Sequence, residues 1–288
     1  MPHPFPHPKV WAHRGARSAA PENTMAAARA ALAQGAFGWE LDVRLTLDGA
    51  VVVAHDQGLR RVTDIARRPG LPGRGDHLAD RLTLAQVRSL DAGSWFARRD
   101  PFGTVAAGEV QPQELAAFAG ERIPTLAEAL EWTRDAGLSV NVEIKDMLGG
   151  DDGLLVRETV RLIRDSGLGG DKVLVSSFRR ASLVLFRELC PEIPVGLLLD
   201  DKATAAPVAD ILAGLRDLGA AALHPCVRTL ASGRATAFRE AGFDVNVYTV
   251  NRPEDMLRLA AEGAAGIITD FPARALAVLG AKKMDEMD

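Results

Sequence analysis

The sequence predicts a (β/α)8 TIM barrel, and three observations carry that prediction. Short apolar runs alternate with longer segments of helical period, and counting each strand with the helix after it gives eight repeats. Such alternation means parallel strands joined by right-handed crossovers. The 288 residues suit one such barrel, which commonly runs to ~250 residues. Polar residues also recur at the C-terminal strand ends, where barrels gather their chemistry. A doubly wound open sheet is the alternative, but no GxGxxG turn follows any strand.

Val10–His13 reads as the first strand, after a Pro- and His-rich tail at 1–9. Pro21-Glu22-Asn23-Thr24 then starts an Ala-rich helix to about Gln34, with Asn23 or Thr24 as its cap and Gly35 as its stop. Phe37–Val43 is the second strand. Asp48-Gly49 turns the chain into a hairpin arm, Val51–His55. Residues 57–122 break the rhythm. They are rich in Gly, Pro and Arg, hold one clear helix near Thr83–Leu90, and read as an insertion after the second strand.

The rhythm resumes at Thr125, which caps a helix to about Ala136. Strands follow at Ser139–Ile144, Lys172–Ser176, Val195–Leu199, Ala221–His224, Asp244–Val250 and Gly266–Thr269. Helices fall between them, and a last one is expected at Ala273–Leu279. The barrel is thus expected over 10–280 as a single domain, with 281–288 a solvated tail.

Composition narrows the function. The chain is 47% hydrophobic with a formal net charge of -4, which argues against a nucleic-acid or anionic-membrane partner. No apolar run approaches the ~20 residues that span a bilayer. The first residues, MPHPFPHPKV, lack the apolar stretch of a secretory signal. Cys190 and Cys226 are too few and too far apart for a disulfide framework. A cytoplasmic chain is expected. His3 and His7 read as part of the tail rather than as metal ligands.

The strand ends carry His13 and Arg14, Glu40 and Asp42, Glu143 and Lys145, Ser176 and Ser177, His224, Tyr248 and Asn251, and Asp270. Residues two apart on a strand share a face, so Glu40 pairs with Asp42 and Glu143 with Lys145. Three carboxylates at one mouth repel each other unless a cation sits between them, and a hard divalent ion suits oxygen ligands. Arg14 and Lys145 add positive charge for an anion. His13 and His55 exchange protons near neutral pH. Together these groups suit hydrolysis of a phosphate ester. Blander readings hold elsewhere. His224, followed by Pro225, serves equally as a strand end. Glu22 fits helix-entry chemistry, the paired arginines fit solvated faces, and Trp95, Phe96, Phe102 and Phe118 fit core or lid packing. No nucleophile elbow is present.

The chain resembles the glycerophosphodiester phosphodiesterases. The matching residues are His13-Arg14-Gly15, Pro21-Glu22-Asn23-Thr24, Glu40-Leu41-Asp42-Val43, Thr46-Leu47-Asp48-Gly49 and His55-Asp56 with Leu59, Arg61 and Thr63. Farther on come Ile123-Pro124-Thr125-Leu126, Val142-Glu143-Ile144-Lys145, Ser176-Ser177-Phe178, Tyr248-Thr249-Val250-Asn251 and Ile268-Thr269-Asp270. The resemblance implies hydrolysis of glycerophosphodiesters, small soluble molecules, to glycerol 3-phosphate and an alcohol. It implies His13 and His55 as acid and base, Glu40, Asp42 and Glu143 as ligands of Mg2+ or Ca2+, and Arg14 and Lys145 on the phosphate. Phe178 and Tyr248 would line the pocket. The chain departs from the pattern in three places. Tyr248 replaces the usual Trp, implying a smaller, more polar pocket floor; Val62 replaces a common Thr; and the insertion is longer than the minimal form. A lysophospholipase D-like activity and a non-catalytic phosphate-binding barrel are the competing readings. The sequence leaves the oligomeric state open.

Overall fold

The apolar runs become strands that close on themselves. In a computed structural model, residues 7–68, 70–71, 77–147 and 152–285 are described, with side chains as far as residue 280. The strands are β1 (Lys9–His13), β2 (Gly38–Leu45), β3 (Val51–Val53), β4 (Ser139–Ile144) and β5 (Val173–Ser177). They continue with β6 (Val195–Leu199), β7 (Ala222–Pro225), β8 (Asp244–Val247) and β9 (Gly266–Thr269). The sheet order is β1-β9-β8-β7-β6-β5-β4-β2-β3, and an added β1–β2 pairing closes the ring. Every pairing in the ring is parallel; β3 alone runs antiparallel, on β2. This is the predicted (β/α)8 TIM barrel.

Period-2 alternation sorts β2 between two environments. Trp39, Leu41 and Val43 are fully buried in the layer between strands and helices. Gly38, Glu40 and Asp42 take the alternate positions. A Cβ on Gly38 would stand 2.4 Å from the Ser139 carbonyl and 2.8 Å from the Trp11 ring, so only glycine leaves room for that indole. Thr24, rather than Asn23, caps the first helix, Met25–Ala33, by accepting from the Ala27 amide. Among the described residues, no helix is long and apolar enough to cross a membrane.

The segment between β3 and the helix Leu126–Asp135 holds more structure than the one helix expected. Besides Leu84–Arg88, its described residues form short helices at Trp95–Arg99 and Pro112–Ala117 and three 3-10 turns. It builds two small apolar clusters. One unites Val52 and Ala54 with Leu59, Ile65, Leu82 and Leu90. The other packs Trp95, Phe96 and Phe118 against Ala20 and Ala27. Those three aromatics thus have the packing role expected of them, and Phe102 stacks edge-on against Phe271.

Several boundaries move. Lys9 belongs to β1, its amide bonded to the Ala265 carbonyl; residues 1–6 of the expected tail, His3 among them, lie outside the described residues. The final helix, Pro272–Asp285, carries its backbone into the stretch expected as a tail. A one-turn helix, Asp201–Thr204, follows β6.

Candidate active site

Strand register brings the acidic residues together. In the parallel ladder, His13 stands beside Glu40, and Asp42 beside Glu143. Glu40, Asp42 and Glu143 each place a carboxylate oxygen within 4.8 Å of the others, and all three are buried. Glu40 Oε1 and Asp42 Oδ1 are buried without a hydrogen bond. An all-oxygen donor set with unused lone pairs fits a hard divalent cation, so these three residues could hold such an ion.

Cations and amides already lean on the triad. Lys145 Nζ lies 2.5 Å from Glu143 Oε1 and 3.4 Å from Asp42 Oδ1. Arg14 Nε lies 3.4 Å from Asp42 Oδ2, and the Arg14 amide donates to Glu40 Oε2 at 2.9 Å. Asn23 Nδ2 donates to Asp42 Oδ2 at 2.8 Å. Both Arg14 (φ 57°) and Asn23 (φ 56°) adopt the left-handed region, a local strain that aims them inward. Burial, with Asp42 and Glu143 beside it, pushes the Glu40 carboxyl well above the usual carboxylate range. Burial raises Glu143 as well, against the pull of Lys145. For Asp42 burial works upward, but Lys145 and Arg14 outweigh it and hold the group ionised.

Each histidine has its own carboxylate. His13 Nδ1 is 2.6 Å from Asp270 Oδ1, and His55 Nδ1 is 2.7 Å from Asp56 Oδ1. With Nδ1 so engaged, Nε2 is the nitrogen each ring offers to a ligand. Asn251 Nδ2 steadies Asp270 at 2.7 Å. Burial and then the Arg14 charge lower the His13 pKa, against the opposing hydrogen bond that the ring donates to Asp270.

These groups open on one cavity of about 110 Å3, lined by His13, Arg14, Glu40, His55, Glu143, Lys145, Phe178 and Tyr248 among others. Asp42 lies behind that lining, under Arg14 and Lys145. Phe178 stands at the rim, 44% exposed, edge-on to Tyr248 at 6.0 Å. The Tyr248 hydroxyl donates to the Leu199 carbonyl at 2.7 Å, so its polarity is directed at backbone. A larger cavity, about 300 Å3, includes Trp11, Phe37 and Lys172 in its lining. It gathers none of the acidic triad, so chemistry rather than volume locates the site.

Two sequence expectations need correction. Glu22 does not serve helix entry: it is 5% exposed and pairs with Arg14, Arg17 and Arg61, which overcome burial and hold its pKa down to about 2. Arg61 is correspondingly no solvated face, since it bridges Glu22 and Asp56. His224 takes a structural role, fully buried, with Asn246 Nδ2 3.1 Å from its Nε2. The sequence reading also gave no role to Asn23 beyond a cap, nor to Asp56 and Asp270 as histidine partners. Asp56 and Asp270 stand within quoted motifs, but their partnerships depend on tertiary placement.

The family model for the glycerophosphoryl diester phosphodiesterase family matches residues 13–274. A glycerophosphodiester phosphodiesterase of Caldanaerobacter subterraneus subsp. tengcongensis is 34% identical over 91% of this chain and 94% of its own. A phosphodiesterase structure from Oleispira antarctica, in complex with the product sn-glycerol-3-phosphate, is 30% identical with a TM-score of 0.78, covering 95% of this chain and 97% of that one. A putative glycerophosphoryl diester phosphodiesterase structure from Silicibacter pomeroyi is 26% identical with a TM-score of 0.81, covering 98% of this chain and 95% of its own. On sequence, fold and site together, this chain is a phosphoric diester hydrolase and belongs to the glycerophosphoryl diester phosphodiesterase family.

Proposed function

We propose that the chain hydrolyses soluble glycerophosphodiesters to glycerol 3-phosphate and an alcohol, using a divalent ion and the pair His13 and His55. The observation that carries this reading is the shared cavity, which both histidines line together with Glu40, Glu143, Arg14 and Lys145. Its size of about 110 Å3 suits a glycerophosphoryl group, with the alcohol portion leaving past the exposed Phe178. The sn-glycerol-3-phosphate held by the Oleispira antarctica relative supports the same substrate end.

Glu40, Asp42 and Glu143 would hold Mg2+ or Ca2+, which when bound neutralises charge on the phosphoryl oxygens. Arg14 and Lys145 add donors to the same oxygens, positioned by the carboxylates they already touch. One histidine takes the proton of the attacking hydroxyl through Nε2. The other returns a proton to the departing alcohol oxygen. Asp56 and Asp270 hold the rings in the tautomer that makes this exchange possible. Phe178 and Tyr248 bound the organic part of the substrate. The free, buried Cys190 and Cys226 are in keeping with a cytoplasmic chain.

The lysophospholipid reading draws little from the mouth. Trp95, Phe96 and Phe118 are buried in the segment's core, leaving Phe178 as the exposed aromatic at the rim among the described residues. Turnover of glycerophosphocholine, glycerophosphoethanolamine, glycerophosphoglycerol and a lysophospholipid, each with Mg2+, Ca2+, Mn2+ or chelator, tests the proposal. Ion-dependent release of glycerol 3-phosphate is expected. Full turnover in chelator, or activity confined to the lysophospholipid, would overturn it.

A further inference from the structure

A run of ion pairs joins the two histidine–carboxylate pairs. Glu22 lies between them, and two arginines connect it to both. Arg61 grips Glu22 with a fork, Nη2 to Oε1 at 2.6 Å and Nη1 to Oε2 at 2.9 Å, while its Nε donates to Asp56 Oδ2 at 2.5 Å. On the other side, Arg17 Nη2 is 3.3 Å from Glu22 Oε2 and its Nε is 3.6 Å from Asp270 Oδ1. Arg14 is the third arginine on this carboxylate, Nη1 to Glu22 Oε1 at 2.9 Å.

We infer that Glu22 is a positioning residue that couples His13 and His55, through the chain His13–Asp270–Arg17–Glu22–Arg61–Asp56–His55. The inference rests on the acid–base reading of the two histidines. Its physical basis is geometric. A carboxylate that orients an imidazole must itself be fixed, and Asp56 is fixed by giving one oxygen to His55 and the other to Arg61. A guanidinium holds two carboxylates in a set plane only when both ends are engaged, and Glu22 supplies the buried end. Burying a carboxylate is costly unless it is fully paired, a cost that helix entry does not call for, since Thr24 already caps the helix.

The two arms differ in strength. The Asp56 arm is short and forked. The Asp270 arm is looser, and Asp270 has a second support in Asn251 Nδ2 at 2.7 Å. Loss of the Glu22 charge therefore disturbs His55 more than His13.

Long-range 1H–15N spectra of the ring nitrogens, recorded on the Mg2+-loaded full chain, test the coupling directly. Glu22→Gln is expected to move the signals of both rings, those of His55 farther. Arg61→Lys should move His55 farther and Arg17→Lys His13 farther, with each also reaching the opposite ring through Glu22. In steady-state assays Glu22→Gln is expected to lower kcat on the order of 10–100-fold, the range for residues that orient a reacting group, and to displace the pH profile of kcat. Unchanged signals from either ring in folded Glu22→Gln would overturn the coupling. So would a kcat loss matching the unfolded fraction with an unmoved pH profile. Should Glu22→Gln fail to fold, the arginine variants decide: a His13 signal unmoved by Arg61→Lys together with a His55 signal unmoved by Arg17→Lys would sink the inference. Turnover that survives His13→Ala and His55→Ala overturns the acid–base reading instead, and the ring signals still judge the coupling by themselves.

Discussion

Lys145 Nζ contacts Glu143 Oε1 at 2.5 Å and reaches Asp42 Oδ1 at 3.4 Å, so one ammonium spans two of the three clustered carboxylates. Asp42 and Glu143 in turn raise the Lys145 pKa in spite of its burial, which keeps the charge in place. That charge favours a phosphate and opposes a divalent ion. Lys145→Met should therefore raise KM for a glycerophosphodiester while tightening the ion. A unit charge at ~4 Å is worth roughly 1–4 kcal/mol between aqueous and partly buried surroundings, enough for several-fold in ion Kd. Calorimetric titration with Mg2+ or Ca2+ checks it, and unchanged or weaker ion binding would contradict the argument.

Glu40 has a buried oxygen with no hydrogen bond and a carboxyl that resists ionisation. Glu40→Ala is expected to bring activity down to the level seen in chelator, and added ion should not restore it. The His13→Ala and His55→Ala variants should also lose turnover, yet keep ion affinity near that of the unaltered chain. Parallel ion titrations of all three separate ligand from proton carrier.

His224 gives a pH dependence of stability unrelated to turnover. Burial lowers its pKa from 6.5 to about 3 in the folded chain. The unfolded chain thus binds the extra proton between those values, and the folded one does not. Stability is full above pH 6.5 and declines as pH falls toward 3, by about 1.4 kcal/mol per pH unit for this group. His224→Gln should flatten that slope while keeping an oxygen for Asn246. Urea unfolding at several acidic pH values measures it, and parallel slopes for the two proteins would refute it.

The Tyr248 hydroxyl bonds the Leu199 carbonyl rather than facing the cavity. Tyr248→Phe should cost about 1–2 kcal/mol of stability, the penalty of an unpaired acceptor, and leave KM unchanged. Tyr248→Ala should raise KM, because it removes the ring that lines the cavity beside Phe178. Equal KM effects in the two variants would show the hydroxyl itself meeting substrate.

The barrel was legible because its signals are local. Each strand is a short apolar run, and the i, i+2 spacing of Glu40 with Asp42 and of Glu143 with Lys145 places them on shared faces whatever the tertiary details. The short helices at Trp95–Arg99, Pro112–Ala117 and Asp201–Thr204 were not legible, since one or two turns give too little periodicity to separate helix from loop. Distance in sequence hid the rest. His13 and Asp270 are 257 positions apart and Glu22 and Arg61 are 39 apart, so no local pattern could pair them. Glu22 misled for a second reason: a carboxylate just before a helix has an ordinary explanation that needs no partner.

The antiparallel arm β3 has a practical corollary. It returns from the Asp48-Gly49 turn so that the Ala54 amide meets the Asp42 carbonyl at 2.9 Å, with His55 next in the chain. A single residue added to or removed from that turn would reverse which way the following side chains point, carrying His55 off the opening. Chimeras that exchange the 57–122 segment between relatives should therefore splice after Asp56, leaving this short ruler between Asp42 and His55 at its present length.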